Sequence, residues 1–241
     1  MTEPPFPAPP PAAAPPPRHS DFTSNRLGGI TLPSVLARVW KVFCLSELGD
    51  FEGAFSVARE ALLVAEESGH AFPLVMARFG IAYPYLLRGN SHLAIPVLEQ
   101  GMAVCRANDN LLWEVAYAAG LGRAYFLIAR IDDAVAQLEI AIALASKRQN
   151  RVSQGVWMSW LGDAYLTAGR HDDAIRVATA ARDHAQGRQE LGDEAQALRL
   201  LGEVALHEGP HGSDRAYDCY RQAMAQAKRE DMRLLVAHCC T

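Results

Sequence analysis

The sequence predicts an all-α fold, a right-handed α-solenoid of about five helical hairpins on a 40-residue period. Three observations carry this. Four segments follow one another at strict 40-residue spacing: "LSELGDFEGAFSVAREAL" (45–62), "YLLRGNSHLAIPVLEQGM" (85–102), "YFLIARIDDAVAQLEIAI" (125–142) and "YLTAGRHDDAIRVATAAR" (165–182). A turn position recurs at Gly49, Gly89, Ala129, Gly169 and Gly209, and five residues past it in the first four copies stands Ala54, Ala94, Ala134 or Ala174. Beyond residue 31, leucine, alanine and arginine dominate and runs of β-branched residues are few, which favours helix.

Taken in order, residues 1–31 read as a disordered Pro/Ala-rich tail, because residues 1–17 hold nine of the fourteen prolines and such a composition extends as polyproline II without packing a core. Residues 32–241 read as the repeat domain, with units at about 32–70, 71–110, 111–150, 151–190 and 191–229 and a partial sixth at 230–241. Each unit is helix A, a tight turn, helix B and a short link. Asp50, Asn90 and Ser213 stand where an N-cap would satisfy the first backbone donors of helix B. In the second unit Pro84 and Pro96 fall inside helices, where each costs on the order of 3 kcal/mol, so that hairpin is expected to be kinked or looser. In the fourth unit Trp157, Trp160, Leu161, Ala164 and Tyr165 share one helical face, Asp172 and Asp173 suit a helix start, and Ala174, Ala178 and Ala181 form a small-residue seam. A two-residue insertion in "GPHGSDRA" moves the fifth alanine to Ala216. The closing "EDMRLLVAHCCT" (230–241) opens a sixth helix A that stops before its own seam, leaving an uncapped end: a truncated arm, a degenerate reading frame or a surface for self-association.

"WLGDAYLTAGRHDDA" (160–174) and "GLGRAYFLIARIDDA" (120–134) resemble the tetratricopeptide pattern, W-x2-L-G-x2-Y followed by alanines. The period of 40 in place of 34 requires longer helices or longer links. Longer phrases, "LPSVLARVWKVFCLSELGDFEGA" (32–54), "HLAIPVLEQGMAVC" (92–105) and "EAQALRLLGEVALHEGP" (194–210), look like the repeat arm of large bacterial signalling proteins. Those proteins join an adenylate or guanylate cyclase or a protein kinase domain to a STAND-type ATPase and then to this arm. The resemblance covers residues 27–240 and implies regulation through protein contacts, with catalysis upstream. No phosphate-loop G-x-x-x-x-G-K-[ST] and no cyclase segment occurs here.

Composition removes several function classes. The net charge of −4 and the lack of any lysine or arginine run argue against nucleic acid as a partner. No apolar stretch is long enough for a membrane span, and the chain opens with no basic-then-apolar leader. Five cysteines, at 44, 105, 219, 239 and 240, form no C-x-x-C pair and leave one over, which fits reduced thiols and a cytoplasmic protein.

Catalysis and metal chemistry find little support. "HEGPH" (207–211) matches H-E-x-x-H formally, but Gly209 and Pro210 interrupt the helical turn that would aim both histidines at one zinc ion. His238, Cys239 and Cys240 diverge on a helix, and the aspartate pairs 132/133 and 172/173 fit helix starts. The expectation is therefore no catalytic residues, no metal and no cofactor.

What remains is a surface. In helical-repeat solenoids the A helices line the concave face, and the positions flanking the seam are Val39 and Phe43, Phe79 and Tyr83, Ala119 and Arg123, Ser159 and Asp163, Arg199 and Glu203. The row is aromatic in its first half and charged in its second. Val39, Phe43, Phe79, Tyr83, Arg123 and Asp163 are the candidate protein-binding residues, for an apolar helix or for a catalytic or ATPase domain of the same assembly. The competing reading makes these rings part of the core. On the binding reading, Phe43→Ala with Tyr83→Ala leaves the fold intact and weakens a partner.

Overall fold

A computed structural model describes residues 33–108, 111–150, 153–209 and 212–240. The expectation for the tail at 1–31 lies outside the described residues. Among those described, every regular element is helical: α1 (Pro33–Glu47), α2 (Phe51–Glu67), α3 (Ala71–Leu87), α4 (Ser91–Ala107), α5 (Leu111–Leu127), α6 (Ile131–Lys147), α7 (Gln154–Thr167), α8 (His171–Arg188), α9 (Leu191–Leu206), α10 (Ser213–Arg229) and α11 (Arg233–His238). Odd-numbered helices are the A helices and even-numbered ones the B helices. The short α11 occupies the sixth A position, where Leu235 packs with Ala195 and Ala227.

The period has a simple origin. Helices α2 to α6 are each 17 residues long. Three-residue turns join them, such as 48–50, 68–70 and 88–90, so two helices with two turns fill 40 residues. The extra length over the short form of the repeat resides in the helices, nearly one turn each.

Both kinds of turn are built alike. At the A-to-B turns Gly49, Gly89, Ala129, Gly169 and Gly209 take positive φ, between 60° and 80°. The residue after the turn position donates back to the preceding helix, from Asp50 to Leu45, Asn90 to Tyr85, Arg130 to Tyr125 and Arg170 to Tyr165, at 2.8–2.9 Å. This is the left-handed closure that satisfies orphan carbonyls at a helix end. The B-to-A turns repeat it at Gly69, Gln149, Gln189 and Asp231, also at positive φ. Periodicity marked only the first set because three of the second four are not glycine.

The caps differ from expectation in two places. Asp50 accepts a bond from the Gly53 amide at 3.0 Å, as an N-cap should. Asn90 holds the cap position of α4 without a side-chain bond, and Gly212, not Ser213, caps α10. Pro84 and Pro96 lie inside α3 and α4, yet each helix keeps its 17 residues and the repeat keeps its register. Arg88 donates to the Pro84 carbonyl at 3.0 Å, and Pro84 is fully buried among neighbouring units that hold its helix in place.

From α1 to α9 each A helix packs on its own B helix and, from α3 on, on the B helix and the A helix before it, whereas successive B helices make no comparable contact among the described residues. Contact along one layer alone curves the stack, with the A helices inside. A continuous core runs from Val75 to Val204 through the alanine seams of the B helices. Small residues let those helices approach: Tyr117 fills the space a Cβ at Gly101 would need, and Leu200 does the same at Gly162.

Candidate functional site: the inner face of the A helices

Two hollows open on the inner face, and they differ in chemistry. The first, about 250 Å³, lies against α1, α3, α5 and α7. Its walls are aromatic and aliphatic, with Trp40, Phe43, Phe72, Phe79, Trp113, Trp157 and Trp160 contributing rings and Asn150 and Ser153 the few polar groups. The rings contact one another across units. Phe43 lies 4.6 Å from Tyr83 and 6.1 Å from Phe79 between centroids, and Phe79 lies 5.5 Å from Trp113 and 5.3 Å from Tyr117. Tilted and edge-on pairs of this kind are each worth roughly 1 kcal/mol beyond the area they bury. The wholly buried Tyr117 hydroxyl donates to the Val75 carbonyl at 2.7 Å and locks α5 to α3.

The second hollow, about 490 Å³, lies toward the C-terminal ends of the A helices, between Glu47, Arg88, Arg123, Asp163, Arg199, Glu203 and His238. Asp163 is its centre. Arg199 donates to one of its oxygens at 2.6 Å and Arg123 to the other at 3.4 Å. One carboxylate thus ties α5, α7 and α9 together. The side chains are 18%, 14% and 12% exposed for Arg123, Asp163 and Arg199, so solvent screens the cluster little. Burial lowers the Arg123 pKa against the pull of Asp163, whereas at Arg199 the same burial is outweighed by Asp163 and Glu203 and the pKa rises. His238 is held below its usual value by burial and by the two arginines. Arg123 also lies over Phe126, 5.1 Å from the ring centre.

One bond stands at the border of the two hollows. The Tyr83 hydroxyl donates to Glu47 Oε1 at 2.7 Å. Burial raises the Glu47 carboxyl above its ordinary value although this bond opposes it, and burial with Glu47 nearby holds Tyr83 well above its own. Nearby, Asp193 of α9 accepts from the Val156 amide at the start of α7, and burial, reinforced by Glu190, pushes its carboxyl up to about 6. Its side chain fills the space beside Gly155, where a Cβ would meet it at 2.6 Å.

The sequence-predicted residues divide. Val39, 1% exposed, and Phe79, 5% exposed, belong to the core, with Phe79 also reaching the floor of the aromatic hollow. Phe43 and Tyr83 are half-buried and line it, while Arg123 and Asp163 belong to the charged hollow. Sequence reasoning missed Trp40, 49% exposed on the wall, and Trp113. The register of Trp40 reads glycine at 80 and 120 and tryptophan again at 160, so the pattern that reveals a face breaks where α3 and α5 pack closely.

The other candidates fall elsewhere. Asp133 pairs with Arg130 and Asp173 with Arg170, each at 2.7 Å, and these arginines lie over Tyr125 and Tyr165, 4.4 and 4.2 Å from the ring centres. His207 is exposed at the end of α9 with Nδ1 2.9 Å from the Glu203 carbonyl, while Pro210 and His211 lie outside the described residues. Among the described residues no group of three or more histidine, cysteine or acidic side chains is placed to hold a metal ion, and no helix is long and apolar enough to cross a membrane.

No family model matches the sequence. No curated protein matches it either. Solved structures do. The chain is similar to the nearly identical TPR-like repeats assigned to a kinesin light chain of Podosopora anserina, with a TM-score of 0.56 at 17% identity, covering 82% of this chain and 96% of that one. BtubC (BKLC) from P. vanneervenii matches with a TM-score of 0.55 at 14% identity, over 77% of this chain and 74% of the other. A STAND protein with a tetratricopeptide repeat sensor from Pyrococcus horikoshii matches with a TM-score of 0.52 at 14% identity, over 85% of this chain and 35% of that one. At these identities the likeness is one of fold, and the fold is a TPR-like α-solenoid.

Proposed function

We propose that the chain is a non-catalytic protein-interaction scaffold that grips an extended or helical segment along the inner face, apolar side chains in the aromatic hollow and polar ones in the charged hollow. The observation that carries this reading is the pairing of an open, aromatic-lined hollow with a charged one on the same face. Peptide grooves commonly take apolar anchors this way, with charges fixing orientation. Its setting is a bacterial cytoplasmic signalling system, where the scaffold is a sensor or regulatory arm.

The test is selection of peptides from a displayed random library on the full chain, followed by titration of the winners. We expect an apolar core flanked by charge, and Trp40→Ala to weaken binding at least tenfold while the chain stays folded at the assay temperature. Selected peptides that bind Trp40→Ala as tightly as the parent chain would falsify the assignment. Tyr83→Ala is a poor probe, because it strips the buried Glu47 of its donor and so disturbs folding as well as contact.

The likeness to the repeat sensor of a STAND protein favours a second reading, in which the chain is the arm of a larger cyclase or ATPase and restrains catalysis in cis. An immunoblot of native lysate separates the two: a band near 26.3 kDa, the mass of this chain, supports an independent adaptor, and a band several times heavier supports the arm.

A further inference from the structure

We propose that the protein's own N-terminal segment, residues 4–17, docks at the aromatic hollow with Phe6 and the prolines beside it seated inside, and occupies it until a partner displaces it. The proposal rests on reading that hollow as a peptide-binding surface. Three observations point to this occupant.

The first is chemical complementarity. "PPFPAPPPAAAPPP" carries no charged side chain, and nine of its fourteen residues are prolines, which have no backbone N–H to desolvate. The hollow offers the matching environment, rings and aliphatic side chains with few polar groups, whereas the charged hollow has nothing to pair with such a segment. Proline-rich segments dock on aromatic-lined grooves because polyproline II is preformed and loses little entropy on binding. Phe6 supplies one large apolar anchor within the run.

The second is the point of attachment. The segment ends at Pro17 and α1 begins at Pro33, and α1 itself contributes Leu36, Trp40 and Phe43 to the wall of the hollow. The fifteen intervening residues span at most about 50 Å when extended. As a coil they cover on the order of 20 Å, so the tether reaches the hollow without stretching.

The third is concentration. A tether of this length presents its segment at roughly 1 mM, so a site with a Kd of about 0.1 mM is about 90% filled in cis. A partner must then exceed that threshold, which makes the segment a filter against weak ligands.

The experiment replaces Phe6 with the photocrosslinker benzoylphenylalanine in the full chain, irradiates at low micromolar concentration and maps the products by mass spectrometry. We expect crosslinks within one chain to peptides containing Trp40, Phe72 or Trp113. Their yield should fall at least fivefold in Trp40→Ala and, separately, when excess synthetic peptide of residues 2–17 is added. Leu112→Ser, exposed at the same hollow, is a second variant should Trp40→Ala fail to stay folded at the assay temperature. Crosslinks outside the hollow, or an absence of crosslinks to the repeats, overturn the proposal. Crosslinks only between chains, rising with concentration, overturn the cis form and assign the site to a second copy. If the tail fails to crosslink but library peptides still bind and lose affinity in Trp40→Ala, the groove reading survives without this proposal. If neither occurs, both fall.

Discussion

The aromatic and charged halves of the inner face are built on the same backbone. Residues 43, 83, 123, 163 and 203 are register-equivalent positions on successive A helices, and they read Phe, Tyr, Arg, Asp and Glu. The first two meet ring to ring at 4.6 Å, and the third and fourth meet as an ion pair at 3.4 Å. The difference teaches that the repeat sets spacing while each unit chooses its chemistry. The two halves also have different weaknesses: an apolar hollow loses packing gradually, whereas a buried charge cluster fails when one member leaves.

The largest expected effect breaks the charged half. Asp163→Ala leaves Arg123 and Arg199 without their shared partner, which should cost about 3 kcal/mol, the lower end of the range for a buried pair because the cluster keeps some exposure. The melting temperature should then fall by about 10 °C. A shift under 2 °C would show that the cluster adds no stability. In the aromatic half Phe43→Ala should cost about 2 kcal/mol, less than for a fully buried ring because Phe43 is half-exposed, and denaturant titration measures it.

The shared backbone is itself testable. Ala129 holds φ at 60° where the equivalent positions are glycine, so Ala129→Gly should stabilise by about 1 kcal/mol, read as a higher melting temperature. The titration of one buried carboxyl adds a pH dependence of comparable size to the first two effects. Asp193 has its pKa raised to about 6, so the folded state retains a proton that the unfolded chain has already released. Its contribution is complete below the unfolded value near 3.8 and is lost as pH rises through about 6. Asp193→Asn should flatten the melting temperature between pH 4 and 7 relative to the parent chain, and an unchanged slope would assign the titration to another group. Trp40→Ala removes a half-exposed wall ring and its edge-on contact with Phe43, and should cost about 1 kcal/mol, small enough to leave the chain folded in binding assays.

Much of the fold was legible because it is written in period. The turn glycines, the alanines five residues on and the acids at the starts of α6 and α8 all repeat, and a helix end that needs a left-handed residue repeats with them. The second set of turns escaped notice because Gln149, Gln189 and Asp231 carry the same φ without the glycine that signals it. The prolines of the second unit mark a local cost that the sequence makes visible, whereas the full length that α3 and α4 keep around them is visible only in the structure. At the site, periodicity located the row but could not rank burial along it, so Val39 and Tyr83 looked alike although one is core and the other half-exposed. The Asp163 cluster joins residues 36 and 40 positions away on neighbouring A helices; the period sets them in one row, but which side chains meet there follows only from packing.

Among the described residues, every pair of helices that packs substantially lies within two elements along the chain. No segment has to find a distant partner before it is stable, so the entropic penalty of closing large loops is absent and folding should be fast for a chain of this size. Order can begin in any hairpin and spread outward, and it should be lost in reverse, from the ends inward. Rates of amide exchange should therefore grade along the array, slowest in α5 to α8 and fastest in α1 and α11.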